Sequence, residues 1–394
     1  MSSSKDLEPK KTVSSSARGK SSQMALFELL DPSDTEYSNT IELYDALPKG
    51  VWSGKQKRGK KSDGDASQEA AISELPKVIT RPFKSRGTSY QMKVKPAIIE
   101  RVNDAGEIKT LVMFPGTREE LIEEALRKFA VQGQGFESDN TSKDVGVFFT
   151  VNQLRKELAR TGHSYSAQEI LEALDIMSSS LIEVSQTGRN RSRETIRGNM
   201  LGSMLIASRE QYLENSGVKC YATFHPLVTQ GIRTQQFRIY DYSVSMSMKS
   251  DLGRYMYKRL SHYWVQASLD HPYEFKLTTF LSQSPRGLSE RMKDNLRAVR
   301  NALKSLVDED VILPDWEEIM IKNAADKRIV DDVGFRLLPS ESFIKFMMKA
   351  NRRQSDIRGQ AELLTARASL KQGSVTSEAE PGSADEPDRI FDEA

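Results

Sequence analysis

Residues Tyr273–Leu313 read YEFKLTTFLSQSPRGLSERMKDNLRAVRNALKSLVDEDVIL, and the order of patterns in this stretch decides the fold. An alternating segment, YEFK, runs into the apolar turn LTTFL, a polar break at SQSPRG and a long amphipathic run. In that run, Leu288–Val307, the residues Met292, Leu296, Val299, Leu303 and Leu306 fall within one arc at about 100° per residue. The β-type segment VIL closes the unit. Strand, short helix, turn, long helix and strand in this order outline a winged helix. Upstream, Val147–Val184 reads VFFTVNQLRKELARTGHSYSAQEILEALDIMSSSLIEV and repeats the order. Its long helix opens at a capping box, Ser166 with Glu169, and buries Ile170, Leu171, Leu174 and Met177.

The fold class expected is therefore α+β, with two tandem winged-helix (helix-turn-helix) domains over residues 76–245 and 246–350. Residues 1–75 and 351–394 read as disordered tails. The first is Ser- and Lys-rich, and Gly54–Gln68, GKQKRGKKSDGDASQ, reads as a basic linker or mobile loop. The second ends in the acidic SEAEPGSADEPDRIFDEA. Between the tails, Asn103–Gly106 predicts a hairpin turn. Thr117 with Glu120 predicts a capped helix to about Ala130, carrying Leu121, Ala125, Leu126 and Phe129 on one side. Asn199–Arg209 and Gly217–Thr223 supply wing strands and a following hairpin. A helix over Lys249–Ala267 bridges to the second module, which ends with strands near Val311 and over Val333–Leu338. A terminal helix, Ser342–Ala350, presents Phe343, Phe346 and Met347 to the core.

At 394 residues, 38% hydrophobic and 28% charged, the chain suits two or three domains with real cores. A net charge of only +2 means that any surface for nucleic acid has to be local. The single cysteine, Cys220, excludes a disulfide within one chain and reads as core. The four histidines, His163, His225, His262 and His271, lack metal-ligand spacing, so neither a metal nor a cofactor is expected. No apolar run reaches the ~20 residues that a membrane span needs, and the N-terminus lacks a signal-type apolar core. The plain reading is a cytoplasmic protein that contacts no membrane.

On the second long helix, the arc opposite the apolar stripe carries Glu290, Arg291, Asp294, Arg297, Ala298, Asn301 and Lys304, with Lys293 beside it. A helix entering the major groove needs such a face: Arg forks onto guanine, Asn pairs with adenine, and Lys or Arg holds phosphate at the edges. Ser284, Arg286 and Ser289 stand at the turn where a helix N-terminus meets phosphate. A solvated face of mixed charge is the competing reading. The first module differs, because its long helix turns Gln168, Glu169, Glu172 and Asp175 outward and should be repelled by phosphate. Its wing, Arg189-Asn-Arg-Ser-Arg-Glu-Thr-Ile-Arg197, offers Arg189, Arg191, Arg193 and Arg197 for the DNA backbone or minor groove.

Taken together, FFTVNQLRKELARTGHSYSAQEILEALDIMSSSLIEV, SDLGRYMYKRLSHYW and HPYEFKLTTFLSQS resemble the plasmid replication initiators that bind repeated origin sequences (iterons), nearest to the TrfA-like group. The resemblance spans about Gln23 to Leu338. It implies a C-terminal winged helix that reads double-stranded iteron DNA and an N-terminal one for dimer or backbone contacts. It also implies monomers that open the origin, dimers that are inactive or repress a promoter, and recruitment of host initiator and replicative helicase. Gln23-Met24-Ala25-Leu26-Phe27 is similar to the peptide by which bacterial replication proteins dock on the sliding clamp. Leu26 and Phe27 suit an apolar pocket and Gln23 its rim. Catalysis is not expected: a nicking initiator needs a His-apolar-His site, and the acids Asp308-Glu-Asp310 and Asp331-Asp332 sit at predicted turns. The alternative is a tandem winged-helix transcriptional regulator without a replication role, which would have no use for a clamp peptide.

Overall fold

The computed structural model describes residues 36–50, 78–102, 106–138, 143–187, 195–206, 217, 219–328 and 330–375. The N-terminal segment departs from the tail expected over residues 1–75. Its described part forms β1 (Tyr37–Thr40) and the one-turn helix α1 (Glu42–Asp45). Tyr37, Ile41, Tyr44 and Leu47 recur every three or four residues and are all buried. That apolar spacing outweighs the polar neighbours, and β1 pairs antiparallel with Arg238–Asp241 in the body.

Two hairpins follow, β2 (Ile79–Ser85) with β3 (Thr88–Lys95) and β4 (Ala97–Val102) with β5 (Ile108–Met113). β4 and β5 pair on either side of the expected turn, up to Val102 opposite Ile108, and of Asn103–Gly106 only Gly106 is among the described residues. Helix α2 (Thr117–Phe129) starts one residue earlier than its expected cap: Gly116 N–H donates to Glu119 Oε2 at 2.8 Å. Thr117 is free to donate to Asp251 instead, at 3.2 Å. A π turn (Ala130–Gln134) leads into β6 (Gly135–Glu137) and β7 (Val145–Phe149). Next come α3 (Val151–Arg160) and α4 (Ala167–Ser179), each opened by a capping box, Thr150 with Gln153 and Ser166 with Glu169. Ile170, Ala173, Leu174, Ile176 and Met177 of α4 are buried.

Strands β8 (Leu181–Gln186), β9 (Thr195–Asn199), β10 (Leu201–Leu205) and β11 (Cys220–Phe224) complete the first module. They join two antiparallel sheets, in the orders β2-β3-β8-β9 and β10-β11-β7-β6. The wing strand expected from Asn199 onward lies instead over Thr195–Asn199, with Arg197 inside it, and Leu201–Leu205, after the buried Met200, belongs to the other sheet.

Helices α5 (Pro226–Arg233) and α6 (Tyr242–Ser247) flank β12 (Arg238–Asp241) and lead to α7 (Asp251–Tyr263). The second module then runs β13 (Tyr273–Lys276), α8 (Leu277–Ser282), α9 (Met292–Asp308), β14 (Glu317–Lys322) and β15 (Val330–Leu337), with sheet order β13-β15-β14. A Cβ on Gly253 of α7 would lie 3.2 Å from Ser305 of α9, so glycine allows this close helix crossing. The expected strand near Val311 is reduced to a single bridge between Ile312 and Pro339, because Pro314 has no N–H for a ladder. The wing strand is β14 instead. Helix α10 (Glu341–Val375) runs far beyond Ala350, through a stretch rich in Arg, Gln, Ala and Leu. Residues 351–375 are therefore helical, against the tail expected from 351 onward.

One apolar core joins both modules, and α2 lies within it with charged as well as apolar residues buried. Arg127, 1% exposed, donates to Asp45 Oδ1 at 2.8 Å and Asn39 Oδ1 at 3.1 Å. Lys49 pairs with Glu123 at 2.9 Å and Lys128 with Glu157 at 2.8 Å. Lys258 of α7 and the Tyr240 hydroxyl both bind Glu124. Burial raises the Asp45 carboxyl, but the charges of Arg127, Lys258 and Lys49 outweigh it and hold that group far below the carboxylate range.

Candidate nucleic-acid interface

Helix α9 divides as its periodicity requires. Val299, Ala302, Leu303 and Leu306 are buried, and Met292 and Leu296 pack partly against the core. On the other side Arg291, Lys293, Arg297, Asn301 and Lys304 are exposed. The Arg297 side chain is 69% exposed and pairs with Asp294 at 2.7 Å, a contact that a phosphate or a base edge can replace at little cost. Arg300, which the sequence reading left aside, donates to both carboxylate oxygens of Glu318 on β14, at 2.9 and 2.6 Å. This fork fixes the roll of α9 against the wing hairpin. Its partner lies 18 residues away, so the sequence around Arg300 carries no local signal of the fork.

The start of α9 shows why the helix begins at Met292 and not Leu288. Ser289 N–H donates to Asn295 Oδ1, and Asn295 Nδ2 donates to Ser289 O, both at 2.8 Å. The Asn295 amide thus holds the turn in a non-helical path, aided by Gly287 at φ +70°. Arg286 donates to Asn295 Oδ1 at 3.2 Å and to Ser289 Oγ at 3.0 Å, so it braces this turn while remaining half-buried. Burial keeps its guanidinium below the usual arginine value. Ser284 is buried, and its hydroxyl donates to Leu281 O at 2.9 Å, so it faces the interior.

In the first module α4 is covered along the flank that carries Ile176, while Gln168, Glu169 and Asp175 of its outward arc are exposed. The β4–β5 hairpin lays Ala97 and Ile99 against Ile176, with Leu111 and Met113 beside them. Glu172 is paired with Arg118 at 3.1 Å. The wing hairpin β8–β9 carries Arg197, whose side chain is exposed and lies 3.6 Å from Glu183. Arg189, Arg191 and Arg193 lie outside the described residues, as do Gln23, Met24, Ala25, Leu26 and Phe27. The outer face of this sheet holds cations absent from the sequence reading. Lys93 stands opposite Glu183, which stands opposite Arg197, while Lys95 pairs with Glu183 at 2.9 Å and Lys84 is exposed. The alternation of QMKVK, polar out and apolar in, was the available signal.

Among the described residues no group of three His, Cys, Asp or Glu side chains is placed to hold a metal ion. No helix among them is long and apolar enough to cross a membrane. Neither a family model nor a curated protein matches the chain. The solved structures to which it is similar include domains 2 and 3 of RctB as a selenomethionine derivative, at 14% identity and a TM-score of 0.42. That match covers 67% of this chain and 91% of the other. A second structure of RctB domains 2–3 gives 14% identity and a TM-score of 0.39, over 69% of this chain and 94% of that one. Pi initiator protein in complex with iteron DNA is similar at 10% identity and a TM-score of 0.36, over 56% of this chain and 91% of that one.

Proposed function

We propose that the chain is a replication initiator built on two winged helices, the second of which reads repeated sites in double-stranded origin DNA. One observation carries the DNA reading: within a strand–helix–turn–helix–hairpin frame, the long helix α9 leaves Arg291, Lys293, Arg297, Asn301 and Lys304 facing solvent. Arg297 and Asn301 are one helical turn apart and supply the two side-chain types that fork onto guanine and adenine. Lys293, Arg291 and Lys304 stand at the margins, where phosphate passes. In the first module α4 has a hairpin on one flank and exposed acids, Glu169 and Asp175, on its outward arc, so the contribution of that module is through the wing, Arg197 with Arg189, Arg191 and Arg193, and through contacts between copies.

The mechanism is non-catalytic. Several protomers on adjacent direct repeats bend the duplex, and their summed binding free energy strains a neighbouring AT-rich segment open. Host initiator, helicase and, through Gln23–Phe27, the sliding clamp are then recruited, and a dimer represses the promoter. The test is to select duplexes from a random pool with the full chain, then search for the selected sequence beside the gene. Direct repeats there, and replication of a plasmid carrying them with the gene, are expected. Arg297→Ala should cost ~1–3 kcal/mol on the selected duplex and relax one or two base pairs. Selection of one isolated promoter site, with no plasmid maintenance, would favour a transcriptional regulator.

A further inference from the structure

The seam between the two modules holds a groove of about 490 Å3. One wall is the β2–β3 hairpin, with Arg81, Phe83, Lys84 and Tyr90, and the other is the α8–α9 turn, with Pro285 and Arg286. Phe83 and Tyr90 stack with ring centroids 5.2 Å apart and make part of the lining apolar. Two guanidinium groups stand half-buried here, and every hydrogen bond that either makes among the described residues ends on a neutral oxygen. Arg81 donates to Pro48 O at 3.4 Å and Gly50 O at 3.3 Å. Arg286 donates within its own turn, to Gly287 O, Asn295 Oδ1, Ser289 Oγ and Asp294 O. The Asp294 carboxylate, whose charge does reach Arg286, is itself paired with Arg297. Burial lowers the pKa of both Arg81 and Arg286. Half-buried cations without an ionic partner gain when an anion arrives.

We propose that this seam is a phosphate site, in which the backbone of the duplex held by α9 is gripped by Arg81 and Arg286 within the groove and by Lys84 at its outer edge, and therefore by both modules at once. The proposal rests on the duplex-binding reading above and adds a residue set that joins the two halves of the interface. Continuity argues for a polyanion. The Arg286–Ser289 turn runs directly into Arg291 and Lys293 at the start of α9. On the opposite wall, Lys84 belongs to the exposed sheet face that carries Lys93, Lys95 and Arg197. A strand passing from α9 to that face crosses the groove. Occupation would lock the two modules in one relative orientation, so that repeat spacing is read by a rigid pair.

The probe is a mixed-sequence B-form duplex, titrated with the full chain over a range of salt concentrations by fluorescence anisotropy. Lys84→Gln and Arg81→Gln should each weaken binding and reduce the slope of log K against log salt by about 0.9, the loss of one phosphate contact. Arg81→Lys should keep the slope. Lys84 is exposed, so its variant retains the fold, and thermal unfolding checks Arg81→Gln, which also loses its carbonyl contacts. In parallel, inorganic phosphate is tested for thermal stabilisation. Stabilisation abolished by Arg81→Gln, with unchanged duplex slopes, would make this a small-anion site and overturn the proposal. Unchanged slopes without phosphate stabilisation would overturn it as well. Failure of the wild type to bind any duplex at low salt would instead remove the functional reading itself.

Discussion

Helices α4 and α9 hold the same place in their modules and meet opposite surroundings. The first has one flank closed by the β4–β5 hairpin, with Ile176 sealed against Ala97 and Ile99, and the outward residues left exposed, Gln168, Glu169 and Asp175, are polar or acidic. The second keeps its far side bare and basic, and is anchored from beside it by the Arg300–Glu318 fork. The same order of elements thus presents two different surfaces. They differ in the charge of the outward face and in what packs on its flank.

The sharpest way to break this contrast is to reverse charges on each helix in turn. Arg297→Glu with Lys304→Glu should reduce duplex affinity by about 100-fold or more, two contacts becoming repulsions. Gln168→Lys with Asp175→Lys, both exposed on α4, should raise it by less than about threefold, through screened charge alone. Anisotropy titrations at fixed salt decide, and an equal response from the two helices would erase the distinction. Next in size, Ile176→Ala should destabilise the fold by ~2–5 kcal/mol in urea unfolding, by opening a cavity under the hairpin. Duplex affinity per folded molecule should stay the same.

Acid separates stability from reading. Burial is the main cause that lowers His225 to about 3, aided by the charge of Lys49. Burial likewise lowers His262 to about 4, against the opposing pull of Glu42 and Asp45. Both folded values lie below the ordinary 6.5, so the unfolded chain binds more protons once pH falls under 6.5. Stability is full above that point and declines as pH drops towards 4 and then 3. Each histidine costs about 2 kcal/mol by pH 5. Helix α9 carries no histidine, so affinity at pH 6 should match that at pH 7 while the melting temperature falls. The smallest effect expected is that of Arg300→Ala. Its half-exposed ion pair should contribute at most about 1 kcal/mol to stability, with a small loss of affinity from looser helix roll.

Much of this contrast was legible in residue order. The heptad-like run from Met292 to Leu306 and the Ser166–Glu169 cap are local signals, and local signals survive without tertiary knowledge. Asn103–Gly106 placed a hairpin correctly for the same reason. The parts missed depend on distant partners. Nothing in the polar setting of Tyr37–Leu47 announces that it will be held by β12 and by Arg127. The β4–β5 hairpin was visible, but its docking on α4 was not, since Ile176 reads only as one more apolar residue. The C-terminal helix was cut short at Ala350 because polarity was weighed above the helix-forming character of the residues after it.

The salt-linked residues around α2 have a consequence for anyone who would divide the chain. Lys258, on the helix that leads into the second module, finds its acid on α2, and Arg254, one turn before it, is 1% exposed. A fragment beginning at α7 would bare an apolar flank and strand an ammonium group without its counter-ion. Cleavage between the halves should therefore yield pieces that aggregate rather than a second module that stands alone.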